Sequence, residues 1–193
     1  MKIPIPEESF FTDSSFEEDL RVFLKQPSPQ ELAPCPGCQQ HSPNKCSSNC
    51  ADAAEALSID PVLYPIEDNV IPLVYELMST RLIQTCWSCE GHMNENDALW
   101  KLPQVCFYTS SPVYVKLLCK HISTLNQQKR LKHPWHIVLS EFSINSRLAY
   151  SIQPNLNDVN EPHLGLLQQD LNIIADNLND KLKAYAKEFL EQM

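Results

Sequence analysis

Phe16, Leu20, Phe23 and Leu24 recur at the spacing of one helical face, and Ser15 with Glu18 has the capping-box spacing of a helix start. Pro27 and Pro29 end that helix, and the chain to Pro34 reads as an extended linker. A second apolar stripe, Val70, Val74, Leu77, Met78 and Leu82, predicts a helix capped by Asp68 or Asn69, with Pro72 in its first turn, running on into Cys86. From Leu99 to Tyr108 the period changes to two, with Val105 and Phe107 on one face and Cys106 and Tyr108 on the other, which is a strand. Ser111 and Pro112 then open a helix whose buried side is Val113, Leu117, Leu118, His121, Ile122 and Leu125. Two further strands, Trp135 to Phe142 and Arg147 to Gln153, are close enough in sequence to form a hairpin.

The last element carries the longest pattern. Leu167, Leu171, Ile174, Leu178, Leu182, Tyr185 and Phe189 alternate three- and four-residue steps, predicting a continuous helix from Glu161 to about Glu191. At the standard rise it is roughly 45 Å long, more than a small sheet can cover. Its second half, Leu178 to Phe189, therefore needs a cover: either the helix around Phe16 to Leu24 or the same helix of a second copy in a twofold homodimer. The fold expected is α+β: about three strands in the order β-α-β-β, helices packed on them, a long C-terminal helix, and a cysteine-rich knuckle in front. The helical crossover makes the first two strands parallel if they share a sheet. Residues 1–33 form an acidic N-terminal segment with a short helix, 34–58 the cysteine-rich segment, and 59–193 the α+β domain.

Composition narrows the function. A chain of 193 residues with 43% hydrophobic content has room for one sizeable core, and 15 prolines against 3 glycines favour stiff, extended loops. A formal net charge of −9 with no basic run argues against a nucleic-acid partner. The first residues lack the apolar core of an export signal, and no apolar run approaches a membrane span, so no membrane partner is expected and the expected location is cytoplasmic. In a reducing compartment, 8 cysteines read as thiols or metal ligands rather than disulfides.

Two stretches carry candidate metal chemistry. Cys35, Cys38, Cys46 and Cys50 place a pair three apart and a pair four apart within sixteen residues, enough to close a tetrahedral zinc site, with His41 as a substitute ligand. Spacing alone leaves an iron–sulfur cluster as the alternative. A thioredoxin-type pair is disfavoured because Cys35 follows a proline-rich linker, and a deaminase signature fails because no histidine precedes position 41. Cys86, Cys89 and His92 repeat at three-residue steps, with Gly91 to turn the chain and Glu90 as a candidate general base, the pattern of a three-ligand zinc site with one open position. Cys35 and Cys38 sharing one metal with Cys86 and Cys89 is a third arrangement, disfavoured slightly by loop closure. His133 and His136 have no thiol or acidic neighbour in sequence and read as ordinary side chains. Phosphate-binding glycine loops, nucleophile elbows and His-Glu-x-x-His are absent from the chain. Two function classes remain: a metal-stabilised binding or assembly protein, and a metal-dependent enzyme centred on Cys86, Cys89 and His92.

Overall fold

The computed structural model describes residues 15–27, 66–142, 147–157 and 162–193. The N-terminal helix α1 (Phe16–Leu24) starts where the cap predicts, with Ser15 Oγ accepting from Glu18 N at 3.2 Å. Helix α2 (Ile71–Ser79) has Pro72 in its first turn but no side-chain cap, because Val70, rather than the expected Asp68 or Asn69, stands at the N-cap and has no acceptor to offer. It stops well short of Cys86. Thr80 Oγ1 donates to the Leu77 carbonyl at 2.7 Å and accepts from the amides of Leu82 and Ile83, while Arg81 takes a left-handed φ of 60°. That turn sends the chain into strand β1 (Ile83–Cys89), so the expected helix through Cys86 is corrected: Ile83, Thr85 and Trp87 suit a pleated strand better than a helix.

Strand β1 is followed by a two-stranded hairpin, β2 (His92–Met93) with β3 (Leu99–Lys101). The expected strand from Leu99 to Tyr108 is two strands, broken at Leu102 and Pro103, and its second part is β4 (Gln104–Thr109). Helix α3 (Pro112–Gln127) begins with Ser111 Oγ accepting from Val113 N at 3.1 Å, as its sequence requires. β5 (Trp135–Phe142) and β6 (Arg147–Pro154) form the expected hairpin. The main sheet has the order β1-β4-β6-β5 with every neighbouring pair antiparallel. β4 and β5 thus run in the same direction, as a crossover demands, but β6 is inserted between them.

One face of this sheet, through Ile83, Val105, Phe107, Ile137, Tyr150 and Ile152, packs against the helices in a single apolar core. Burying each large side chain there stabilises the fold by roughly 1.5–3 kcal/mol. The C-terminal helical stretch consists of α4 (Leu164–Ala175) and α5 (Leu178–Glu191), separated at Asp176 and by Asn177, whose φ is 51°. The predicted seam survives the break, since Leu167, Leu171, Ile174, Leu178 and Leu182 are fully buried. What occupies the break is Glu76, whose Oε2 accepts from Asn179 N at 3.2 Å and Asn179 Nδ2 at 2.9 Å, filling donors that a new helix start leaves open. The outer half of the seam is covered within the chain by α1: the Phe16 and Phe189 rings are 6.1 Å apart, and Lys183 Nζ donates to the Gln26 carbonyl at 2.8 Å. Among the described residues, no helix is long and apolar enough to cross a membrane.

Candidate metal centre

Three segments meet at one end of the sheet: the turn before α2, the last residue of β1 and the first of β2. The turn contributes Glu67, β1 contributes Cys89 and β2 contributes His92, and one donor atom from each lies within 4.8 Å of the others. His92 Nε2 is 2.9 Å from Glu67 Oε1. Cys89 is buried, whereas Glu67 and His92 are each about one-third exposed, so the cluster opens to solvent on one side.

The surrounding hydrogen bonds position these donors. Glu90 N donates to Glu67 Oε2 at 2.6 Å, which aims the other carboxylate oxygen at His92. Glu90 in turn uses Oε2 to accept from both the amide and the side-chain Nδ2 of Asn69, at 3.0 and 2.8 Å, holding the turn that carries Glu67. Gln168 Nε2, on α4, donates to the Glu90 carbonyl at 3.2 Å. Gly91 links the two ligand strands with a φ of 86°, and its N–H points at Cys89 Sγ over 3.4 Å. Only glycine fits, since a Cβ there would stand 2.7 Å from Leu164 Cδ1 and 2.9 Å from Pro103 Cδ.

Burial pushes the Cys89 thiol above its ordinary value, and the carboxylates of Glu67 and Glu90 add to the rise, while the Gly91 N–H and Lys101 oppose it. Without a cation the thiol therefore stays protonated. A bound divalent cation supplies the positive charge that such a thiolate needs, and an N–H already directed at the sulfur eases its formation.

Of the residues singled out from spacing, Cys89 and His92 are brought together and Cys86 is not. Cys86 is set apart from the other two by its strand: β1 places it in a bulge between Thr85 and Trp87, the latter being the register partner of Cys106, and a strand does not converge side chains three apart as a knuckle turn does. Burial pushes the Cys86 thiol up to about 12, with neighbouring Cys106 adding to the shift and Tyr108 opposing it. Glu90 sits beside the cluster, with its carboxylate committed to Asn69. His133 is buried with its amide on Asp170 Oδ2 at 3.0 Å, and neither it nor His136 joins a metal-type cluster among the described residues. Cys35, Cys38, Cys46 and Cys50, and His41, lie outside the described residues. Glu67 escaped notice in the sequence because it stands far upstream of Cys89 and belongs to no spacing motif; only the tertiary fold delivers it. Comparison of the chain with protein-family models, with curated proteins and with solved structures finds no match in any of the three.

Proposed function

We propose that this chain binds one transition-metal ion, zinc, through Glu67, Cys89 and His92, and that the ion acts mainly as a structural clamp. The observation that carries this reading is the convergence of a carboxylate, a thiol and an imidazole from three separate segments within 4.8 Å. A thiol and an imidazole select a borderline or soft cation over magnesium or calcium, and the mixed donor set suits zinc. A single thiolate is a poor match for an iron–sulfur cluster, which takes mostly cysteine. Bound zinc would join the turn before α2 to both strands that flank Gly91, replacing the Glu67–His92 contact by two bonds to the metal.

A binding or assembly role is favoured over catalysis because Glu90, the candidate general base, has Oε2 engaged by both the amide and the side-chain Nδ2 of Asn69. Three protein ligands leave a fourth position, which water or a residue of a protein partner would fill. The four thiolates of Cys35, Cys38, Cys46 and Cys50 form a second, independent metal proposal that rests on spacing.

Metal content after exhaustive dialysis tests the reading. A chain with serine at positions 35, 38, 46 and 50 is expected to retain about one zinc, and adding Cys89→Ser and His92→Ala is expected to remove it. Retention of that zinc by the chain lacking Cys89 and His92 refutes the site.

A further inference from the structure

The two edges of the main sheet are finished differently. β1, at one edge, is broken by the bulge at Cys86, which twists an edge away from further pairing. β5, at the other, pairs with β6 over eight residues, Trp135 to Phe142, without a register shift. Its sequence contains no proline and no lysine, and Glu141 is its one charged residue. Edge strands ordinarily carry such residues because a bare row of N–H and C=O groups is a template for another strand.

The direction in which that row points follows from two contacts. Asn126 reaches from the end of α3 to bond both backbone groups of Trp135, with Nδ2 donating to the carbonyl at 2.7 Å and Oδ1 accepting the amide at 3.1 Å. Trp135 opposes Pro154, which has no N–H to give. The peptide groups of Trp135 therefore face away from β6, and by the alternation of an antiparallel ladder so do those of Ile137, Leu139 and Glu141. Asn126 does for Trp135 what a neighbouring strand would do. Nothing among the described residues does the same for Ile137 and Leu139. Leu139 is also 61% exposed, one of the most exposed large apolar side chains in the described structure.

From this we infer that β5 pairs with β5 of a second copy of this chain, antiparallel about a twofold axis at Leu139, to make one continuous sheet across the dimer. The open stretch is bounded by Asn126 on one side and the end of β5 on the other, and Leu139 is its midpoint, so self-pairing centred there uses every outward backbone group of β5 that has no partner among the described residues. Leu139 faces Leu139 of the second copy, and Ile137 faces Glu141, giving about six backbone hydrogen bonds. This register keeps the two copies of Glu141 from facing each other, and it sets the exposed leucines side by side, where a cross-strand pair buries both. A second copy meets the requirement of a partner whose extended strand has the same spacing of open groups. Two chains of net charge −9 repel, so association tightens as salt is added.

Sedimentation of the full chain over a wide concentration range, together with amide exchange read at Ile137 and Leu139, tests the pairing. The expected result is a reversible dimer in which both amides exchange slowly, becoming fast on dilution to monomer. Leu139→Lys sets two ammonium groups at the axis and is expected to weaken association about tenfold or more. Leu139→Pro removes an N–H that faces outward and is expected to weaken association comparably without disturbing the β6 ladder, as unchanged circular dichroism would confirm. A chain that stays monomeric at every concentration overturns the proposal. So does a dimer indifferent to both variants, and so does slow exchange at Ile137 and Leu139 that persists in the monomer.

Discussion

Gly91→Ala is the substitution that strikes the fold and the metal centre at one point. The residue has a φ of 86°, where a side chain costs about 1–2 kcal/mol. The new methyl would also stand 2.7 Å from Leu164 Cδ1 and 2.9 Å from Pro103 Cδ. The leucine tip can rotate away, but the proline ring is fixed in the backbone between β3 and β4, so some overpacking remains, of order 1–3 kcal/mol. Together these predict a loss of about 3 kcal/mol, a large part of the 5–15 kcal/mol by which domains are stable. Because Gly91 separates Cys89 from His92 and points its N–H at the sulfur, zinc affinity should fall as well. Gly165→Ala is the control: it lies in α4 with negative φ, its new Cβ would meet nothing nearer than the His163 ring at 3.3 Å, and alanine favours a helix by up to about 1 kcal/mol. Urea unfolding and zinc titration of both variants decide the matter. A Gly91→Ala chain within about 0.5 kcal/mol of wild type, with unchanged zinc affinity, would refute the geometry assigned to this turn.

Three other outcomes follow from named groups. His121 is buried with Nε2 donating to the Ile174 carbonyl at 3.0 Å and Nδ1 without a partner, and burial drives its pKa from 6.5 down to about 4. The folded state thus refuses a proton that the unfolded chain accepts, so stability is complete above about pH 6.5 and falls by roughly 3 kcal/mol as pH drops toward 4; urea midpoints against pH, flattened in this range by His121→Gln, check it. Asp170 is fully buried and accepts from the amides of Lys132 and His133 and from Trp135 Nε1, so Asp170→Ala strands three donors and should cost about 3–5 kcal/mol by the same unfolding assay. Glu90→Ala frees Asn69 and loosens the turn carrying Glu67, so zinc affinity measured by competition with a chelator should fall about 10–100-fold, as for other groups that orient a ligand.

Local chemistry made much of the fold legible in advance. Ser15 and Ser111 cap the helices they were expected to cap, the β5–β6 hairpin forms, and the seam from Leu167 to Leu182 is buried throughout. The misreadings arise where a local pattern is ambiguous or a distant residue decides. The apolar spacing from Val70 to Leu82 runs smoothly past the point at which Thr80 and Arg81 end the helix, and it hid β1. The long C-terminal helical stretch is present as expected, and its seam keeps its period through Asp176 and Asn177, so the break there was not legible in the pattern; Glu76, which bonds Asn179 beyond it, lies far away in sequence. At the candidate site, spacing grouped Cys86 with Cys89 and His92 whereas the fold brings only the last two together, since three-residue steps aim side chains together in a tight turn and apart along a strand. Glu67 is a purely tertiary contribution.

X-ray absorption at the zinc edge, on a chain with serine at positions 35, 38, 46 and 50, counts the sulfur neighbours of the bound ion directly. Glu67, Cys89 and His92 predict one sulfur at about 2.3 Å, the remaining neighbours being nitrogen or oxygen at about 2.0–2.2 Å. Two sulfurs would return Cys86 to the site, and a chain that binds no zinc would contradict the centre altogether.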